Sequence, residues 1–157
     1  HRLTSVPGSS AYFERGVVSY SNQAKKDLLK VEEETLQEFG SVSSQTAEEM
    51  ALGIKELAGT DIGLSITGIA GPDGGTIDKP VGLVYMAIAD NEETKSYQYN
   101  FSGSRYRIKY LTSQIILNLL RLRLLDWFSN IISKKGRFDA GVNVKVSYGF
   151  NSYFIGT

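Results

Sequence analysis

The sequence contains no cysteine and a single histidine, which stands at position 1. The missing cysteine removes disulfides, thiolate metal sites and a cysteine nucleophile. It fits a reducing compartment, so the cytoplasm is the expected location. The missing internal histidine removes Ser-His-Asp triads, paired-histidine zinc sites and histidine acid/base pairs, because a chain terminus is a poor place to hold an imidazole. A hydrolase built on this chain needs another base. Net charge is missing too: Lys plus Arg and Asp plus Glu number 17 each. Without a field of one sign, neither nucleic acid nor an anionic membrane surface is expected as a partner, and an anionic ligand has to be captured locally. No uncharged apolar run reaches the roughly 18 to 20 residues of a membrane span. His1-Arg2-Leu3-Thr4 does not lead into the apolar region of a signal peptide, and without an initiator methionine the numbering is expected to begin inside a longer product.

What is present suits one α/β domain. At 157 residues and 41% hydrophobic composition the chain can bury one core. Ser5 to Ser10 reads as a loop around Pro7 and Gly8. Gly16-Val17-Val18-Ser19-Tyr20 is short, β-branched and aromatic and predicts a strand, with Ser21-Asn22 opening a helix from about Gln23. Ala47, Met50, Ala51, Ile54, Leu57 and Ala58 recur at helical spacing and predict a helix ending at Gly59. Ile62 to Ile69 and Val81 to Ala89 are apolar runs suited to buried strands, and Lys95 to Phe101 alternates as an edge strand does. Arg105 to about Ile132 predicts one long helix, with Ile108, Leu111, Ile115, Leu119, Leu122 and Leu125 as its apolar stripe and Arg107, Lys109, Arg121 and Arg123 on a solvated face. Exposed aliphatics on that helix would suit a homodimer. From Val142 to Phe150 the residues alternate again, predicting a lone terminal strand or hairpin whose place is not legible.

Two clusters carry candidate chemistry. In the first, Ser9 and Ser10 lie in a loop, Tyr20 ends a strand, and Lys25 stands one turn into the next helix. A lysine acts as a general base only when burial or neighbouring positive charge makes its neutral amine available, so Lys25 would have to be buried. From spacing alone, glycine-flanked serines are more often turn formers, lysines early in helices more often solvated, and a strand tyrosine more often packed. The second cluster is Thr67-Gly68-Ile69-Ala70-Gly71-Pro72-Asp73-Gly74-Gly75 at the carboxyl end of a buried strand, where open α/β sheets place ligands. Gly68, Gly71, Gly74 and Gly75 let backbone N–H groups approach a phosphate or oxyanion, and Thr67 adds a hydroxyl. The spacing matches neither the P-loop nor the dinucleotide fingerprint. Asp73 and Asp78 are more often turn residues than ligands, so no metal is expected. Arg105, where a strand turns into the long helix, has the geometry for bidentate phosphate binding, or is simply a surface arginine of a first turn.

Taken together, Val6-Pro7-Gly8-Ser9-Ser10-Ala11-Tyr12-Phe13, Val18-Ser19-Tyr20-Ser21-Asn22, Ala24-Lys25 and above all Ile66-Thr67-Gly68-Ile69-Ala70-Gly71-Pro72-Asp73-Gly74-Gly75 resemble the CinA C-terminal domain. Lys79-Pro80-Val81-Gly82 and Phe101-Ser102-Gly103 follow in that family's order, so the resemblance covers residues 1–124. It implies a single three-layer α/β/α domain with a mixed sheet, with 125–157 as a helix end plus an unassigned tail. It also implies hydrolysis of the carboxamide of nicotinamide mononucleotide to nicotinic acid mononucleotide and ammonia, with no cofactor. In that reading Ser10 resembles the nucleophile, Lys25 its general base and Tyr20 an assisting hydroxyl. Thr67, Arg105 and the glycines of the loop fall at positions associated with substrate. The family domain begins earlier, with a strand and a Glu-Ser-Cys-Thr-Gly-Gly type of turn, so the sheet is expected to lack a strand and the pocket part of its wall. The competing reading is a non-catalytic CinA-like module that binds a nucleotide or a partner.

Overall fold

The computed structural model describes residues 2–135 and 144–151. After two 3-10 turns at Leu3–Ser5 and Ser9–Ala11, the elements are β1 (Phe13–Ser19), α1 (Asn22–Leu29), α2 (Glu33–Glu38), α3 (Ser44–Ala58), β2 (Ile62–Gly68), β3 (Leu83–Ala89), β4 (Thr94–Asn100), α4 (Arg105–Lys135) and β5 (Val146–Asn151). The helix ends follow local chemistry. Ser21 Oγ accepts from Ala24 N at 3.0 Å to open α1, and Ser43 Oγ accepts from Thr46 N at 3.2 Å to open α3. Gly59, at φ 61°, closes α3 in the left-handed conformation that glycine tolerates. The short α2 has no counterpart in the sequence reading: Glu33 to Glu38 holds one buried apolar residue, Leu36, too few to show a period.

The five strands form one mixed sheet in the order β1-β5-β2-β3-β4. β1, β5 and β2 run parallel, and β3 and β4 continue antiparallel. Alternation along the strands sends side chains to two faces. Leu64, Ile66, Val84, Met86 and Ile88 pack against Ile108, Ile116 and Leu120 of α4. On the opposite face Ala87 and Ala89 meet Ala47 and Ala51 of α3, and Leu29 of α1 joins Met50 and Ile54. Small residues set that spacing: a Cβ on Gly63 would lie 2.1 Å from Ala51 O, and one on Gly53 would lie 1.8 Å from Leu29 O. The result is a three-layer α/β/α arrangement with a mixed sheet, as expected from the sequence.

Three expectations need correction. The buried stripe of α4 runs through Ile108, Thr112, Ile116 and Leu120, four residues apart. Leu122 and Leu125 are exposed. Arg123 is not simply solvated: it reaches Asp90 at 2.5 Å, Glu92 at 3.0 Å and Glu93 at 3.5 Å. Burial pushes the Asp90 carboxyl up, but the Arg123 guanidinium and the N–H groups of Glu93 and Glu92 more than offset this and leave its pKa below the usual value.

The third correction concerns the tail. The strand expected over 142–150 begins in described residues at Val146; Val142 lies outside them. It is neither alone nor at an edge. β5 is a central strand, paired in parallel with β1 from Phe13↔Val146 to Ser19↔Asn151 and with β2 from Ile62↔Val146 to Ile66↔Phe150. Its seating is specific: Ser147 Oγ lies 2.8 Å from Thr60 Oγ1 and donates to Ile54 O at 3.2 Å, and Gly149 sits beneath Leu29 and Ile54. The expected gap in the sheet is therefore filled by the chain's own C-terminal segment. The same pairing explains why β1 starts at Phe13 rather than Gly16, since Val146 N donates to Tyr12 O at 2.7 Å.

Candidate functional site

Three parallel strands end together, and that carboxyl edge is the natural place for a ligand. Ser19 of β1 pairs with Asn151 of β5, and Thr67 of β2 follows the Ile66↔Phe150 pair, so Ser19, Asn151 and Thr67 form a row across the sheet. Gly68 is level with Val84, and Leu83 with Asn100, which brings the glycine loop and the start of α4 to the same edge.

Lys25 meets the requirement set by its sequence position. It is 1% exposed, because the first turn of α1 folds back over the end of β1. Its Nζ donates to Ser21 O at 3.4 Å and to Ser19 O at 3.5 Å, both long contacts and both to neutral carbonyls. Burial brings its pKa down from 10.5 to about 8, so a substantial neutral fraction exists in mildly alkaline solution. Lys26 beside it pairs with Glu33 instead. Tyr20 follows β1 directly and is 66% exposed at the mouth of this edge.

Across the row, the Thr67 hydroxyl is buried and donates to Ser41 O at 2.5 Å. It ties the 39–43 loop to the sheet, and its proton is engaged with backbone rather than offered to a ligand. Lys79 reinforces the tie through Phe39 O at 2.5 Å and Val42 O at 2.8 Å. This lysine is a fastening residue that sequence reasoning passed over, since a lysine in a polar loop carries no periodic signal. Gly68 closes β2, Gly71 adopts φ 73° with Val81 2.6 Å from where its Cβ would be, and Gly74 adopts φ 87°. Gly75 packs against Val81 as well, and residues 72–78, including Asp73 and Asp78, are exposed. Arg105 Nη1 donates to Gly71 O at 2.7 Å, and its Nε is buried without a hydrogen-bond partner among the described residues. The guanidinium thus holds the base of the loop. Among the described residues no group of three or more potential ligands could hold a metal ion, and no helix there is long and apolar enough to cross a membrane.

Ser10 stands apart. It lies exposed in the 3-10 turn Ser9–Ala11, which precedes the amino end of β1, whereas Lys25 folds over the carboxyl end. At ~3.3 Å per residue, the strand between them spans about 20 Å. Among the described residues no hydrogen bond joins Ser10 to Lys25. The structure thus gathers Tyr20, Lys25, Thr67, the glycine loop and Arg105 at one edge and leaves Ser10 at the other.

The family profile of the CinA C-terminal domain matches residues 1–124. A CinA-like protein of Geotalea uraniireducens is 53% identical over 125 residues, covering 80% of this chain and 30% of that protein. A second, from Geobacter sp., is 50% identical over 124 residues, covering 79% of this chain and again 30% of the relative. The chain therefore spans under a third of these curated relatives. Among solved structures, the competence/damage inducible protein CihA from Agrobacterium tumefaciens superposes with a TM-score of 0.74 at 40% identity, covering 76% of this chain and 74% of that one. The competence damage-inducible protein ComA from Klebsiella pneumoniae gives 0.76 at 33% identity, covering 80% and 78%. By profile, sequence identity and fold alike, this chain belongs to the CinA C-terminal domain family.

Proposed function

We propose that the chain is an amidohydrolase that cleaves the carboxamide of nicotinamide mononucleotide to nicotinic acid mononucleotide and ammonia. Lys25 carries this reading: a lysine 1% exposed, without a carboxylate partner among the described residues and with its pKa brought down to about 8 by burial, is the base an amidase needs when it has neither cysteine nor internal histidine. Neutral Lys25 takes a proton from a water molecule as its oxygen attacks the amide carbon, since the Ser10 hydroxyl that the resemblance makes the nucleophile lies about 20 Å away along β1, out of reach within one chain. The tetrahedral oxyanion is met by N–H groups of the glycine loop. Protonated Lys25 then returns the proton to the departing nitrogen, and ammonia and the acid leave. Tyr20 at the mouth of the edge assists these transfers, and Arg105 with the loop holds the phosphate end of the substrate. The cytoplasm is the expected setting, and no cofactor is consumed.

A second reading follows from one observation, the separation of Ser10 from Lys25 within a chain: a CinA-like module that binds the nucleotide without turning it over. Ammonia release decides between them. The amidase liberates ammonia from nicotinamide mononucleotide and loses about 10²-fold or more of its rate in Lys25→Ala, whereas Ser10→Ala keeps its rate; a matching loss in Ser10→Ala would make the serine the nucleophile after all. Nucleotide binding by calorimetry with no ammonia release establishes the module instead.

A further inference from the structure

Four successive carbonyls in the loop between α2 and α3, from Phe39 to Val42, accept hydrogen bonds from side chains. Lys79 Nζ donates to Phe39 O at 2.5 Å and to Val42 O at 2.8 Å. Between these two, Gly40 O accepts from Ser43 Oγ at 3.0 Å and from Thr46 Oγ1 at 2.8 Å, and Ser41 O accepts from Thr67 Oγ1 at 2.5 Å. Neutral backbone oxygens gathered around a compact positive charge are how proteins hold a monovalent cation. Here the cation is an ammonium on a stem, whose N–H donors can turn to meet the oxygens. Room beside it is scarce: Gly40 stands at φ 75°, and a Cβ there would lie 3.1 Å from Nζ.

The lysine that fills this cradle comes from the exit of the glycine loop. Thr76 N donates to Lys79 O at 2.8 Å and Lys79 N donates to Thr76 Oγ1 at 3.0 Å, so a tight turn joins the backbone of Lys79 to the loop. At the entry, Arg105 Nη1 donates to Gly71 O at 2.7 Å. A cation on backbone oxygen therefore clamps each end, and residues 72–78 between the clamps are exposed. Arg105 ties the loop to α4. Lys79 ties it to the 39–43 loop, which Thr67 in turn fastens to the end of β2. An anion site made of backbone N–H groups binds well only when it is already ordered, because each residue fixed on binding costs affinity.

We propose that Lys79 is a positioning residue for ligand binding. Its ammonium stands where a bound monovalent cation would, and by locking the exit of the glycine loop to the 39–43 loop it keeps the loop N–H groups ready for the anionic end of the nucleotide. This rests on the reading of the site as one for a pyridine mononucleotide. Arginine is no substitute, since a planar guanidinium does not fit the space left beside Gly40.

Chemical rescue provides the test. Affinity for nicotinamide mononucleotide is measured by calorimetry on the wild type and on Lys79→Ala, well below the thermal midpoint of each. Lys79→Ala should weaken binding roughly tenfold or more, and n-propylammonium, which replaces the missing stem and head, should restore it to within about threefold of the wild type. Tetramethylammonium at the same concentration carries the charge without an N–H donor and should restore nothing. Lys79→Met keeps the stem, so it should bind weakly and gain nothing from propylammonium; it also serves if Lys79→Ala does not fold. Unchanged affinity in these variants, with only a lowered thermal midpoint, makes Lys79 a stabilising residue and overturns the proposal. So does a loss in Lys79→Ala that neither ammonium ion restores, or that both restore equally. A wild type that binds no nicotinamide mononucleotide sinks the nucleotide reading itself, and the role of Lys79 with it.

Discussion

Lys25 shows what a fold does to one residue. In the sequence it is one of two adjacent lysines, and nothing local separates it from Lys26. In the structure Lys26 is paired with Glu33 and Lys25 is enclosed between the end of β1 and α1. Because burial holds its pKa at about 8, the folded state binds fewer protons than the unfolded chain between about 8 and 10.5. Stability therefore rises as pH increases through that window, the sign expected for a lysine whose folded pKa is depressed. Lys25→Met keeps the stem and removes the buried charge. It should raise the thermal midpoint at pH 7 by ~3 °C and flatten the rise in stability above pH 8, while abolishing ammonia release. On the amidase reading, kcat/KM of the wild type climbs with pH to a plateau above about 8, as free Lys25 loses its proton. A flat profile from pH 6 to 10 would remove Lys25 as the base.

At the scale of elements, the candidate site depends on how closely α1 and α3 approach the sheet. Gly53 of α3 faces the last residue of α1, and a methyl there would collide with Leu29 backbone at 1.8 Å. Backbone cannot swing aside as a side chain does, so Gly53→Ala should force the helices apart and cost about 2–4 kcal/mol in denaturant unfolding. The same change should raise the Lys25 pKa by admitting water to the amine. Gly59→Ala is the contrast: open space surrounds its Cβ position, and only the left-handed φ of 61° is penalised, by about 1 kcal/mol. The loop from Gly71 to Gly75 is fastened in the same direct way, by Arg105 on Gly71 O and by Val81 against two glycines.

For the whole molecule, β5 is the element on which the rest depends. Among the described residues it is the last element in the chain and the second strand of the sheet, lying between β1 and β2 and joining them. Removing residues 144–157 would leave two parallel strands with unpaired facing edges and would uncover Leu29, Met50 and Ile54. The expected outcome is loss of cooperative unfolding and aggregation on expression. A milder probe is Ser147→Ala, which deletes the bonds to Thr60 and Ile54 O and should cost about 1 kcal/mol without changing the fold. Resistance of the Val146–Asn151 segment to protease in the folded protein checks the same point without mutation.

Much of this molecule was determined by sequence alone. Hydrophobic periodicity marked α3, β2, β3, β4 and most of α4, because each buries one face or both against a continuous core and the pattern is local. Composition excluded histidine and cysteine chemistry, and the run from Ile66 to Gly75 identified the family. Other features were decided only by tertiary structure. Alternation in the tail revealed a strand but not its neighbours, since pairing partners as far away in the chain as Ile62 and Phe13 are from Val146 leave no mark in a single sequence. Burial of Lys25 depends on α1 folding over the end of β1, and the engagement of Thr67 with Ser41 depends on a loop from elsewhere. The distance between Ser10 and Lys25 is the plainest case: fifteen positions apart in sequence, they are held apart by an extended strand that rises about 3.3 Å per residue, where a helix or a turn would have brought them together.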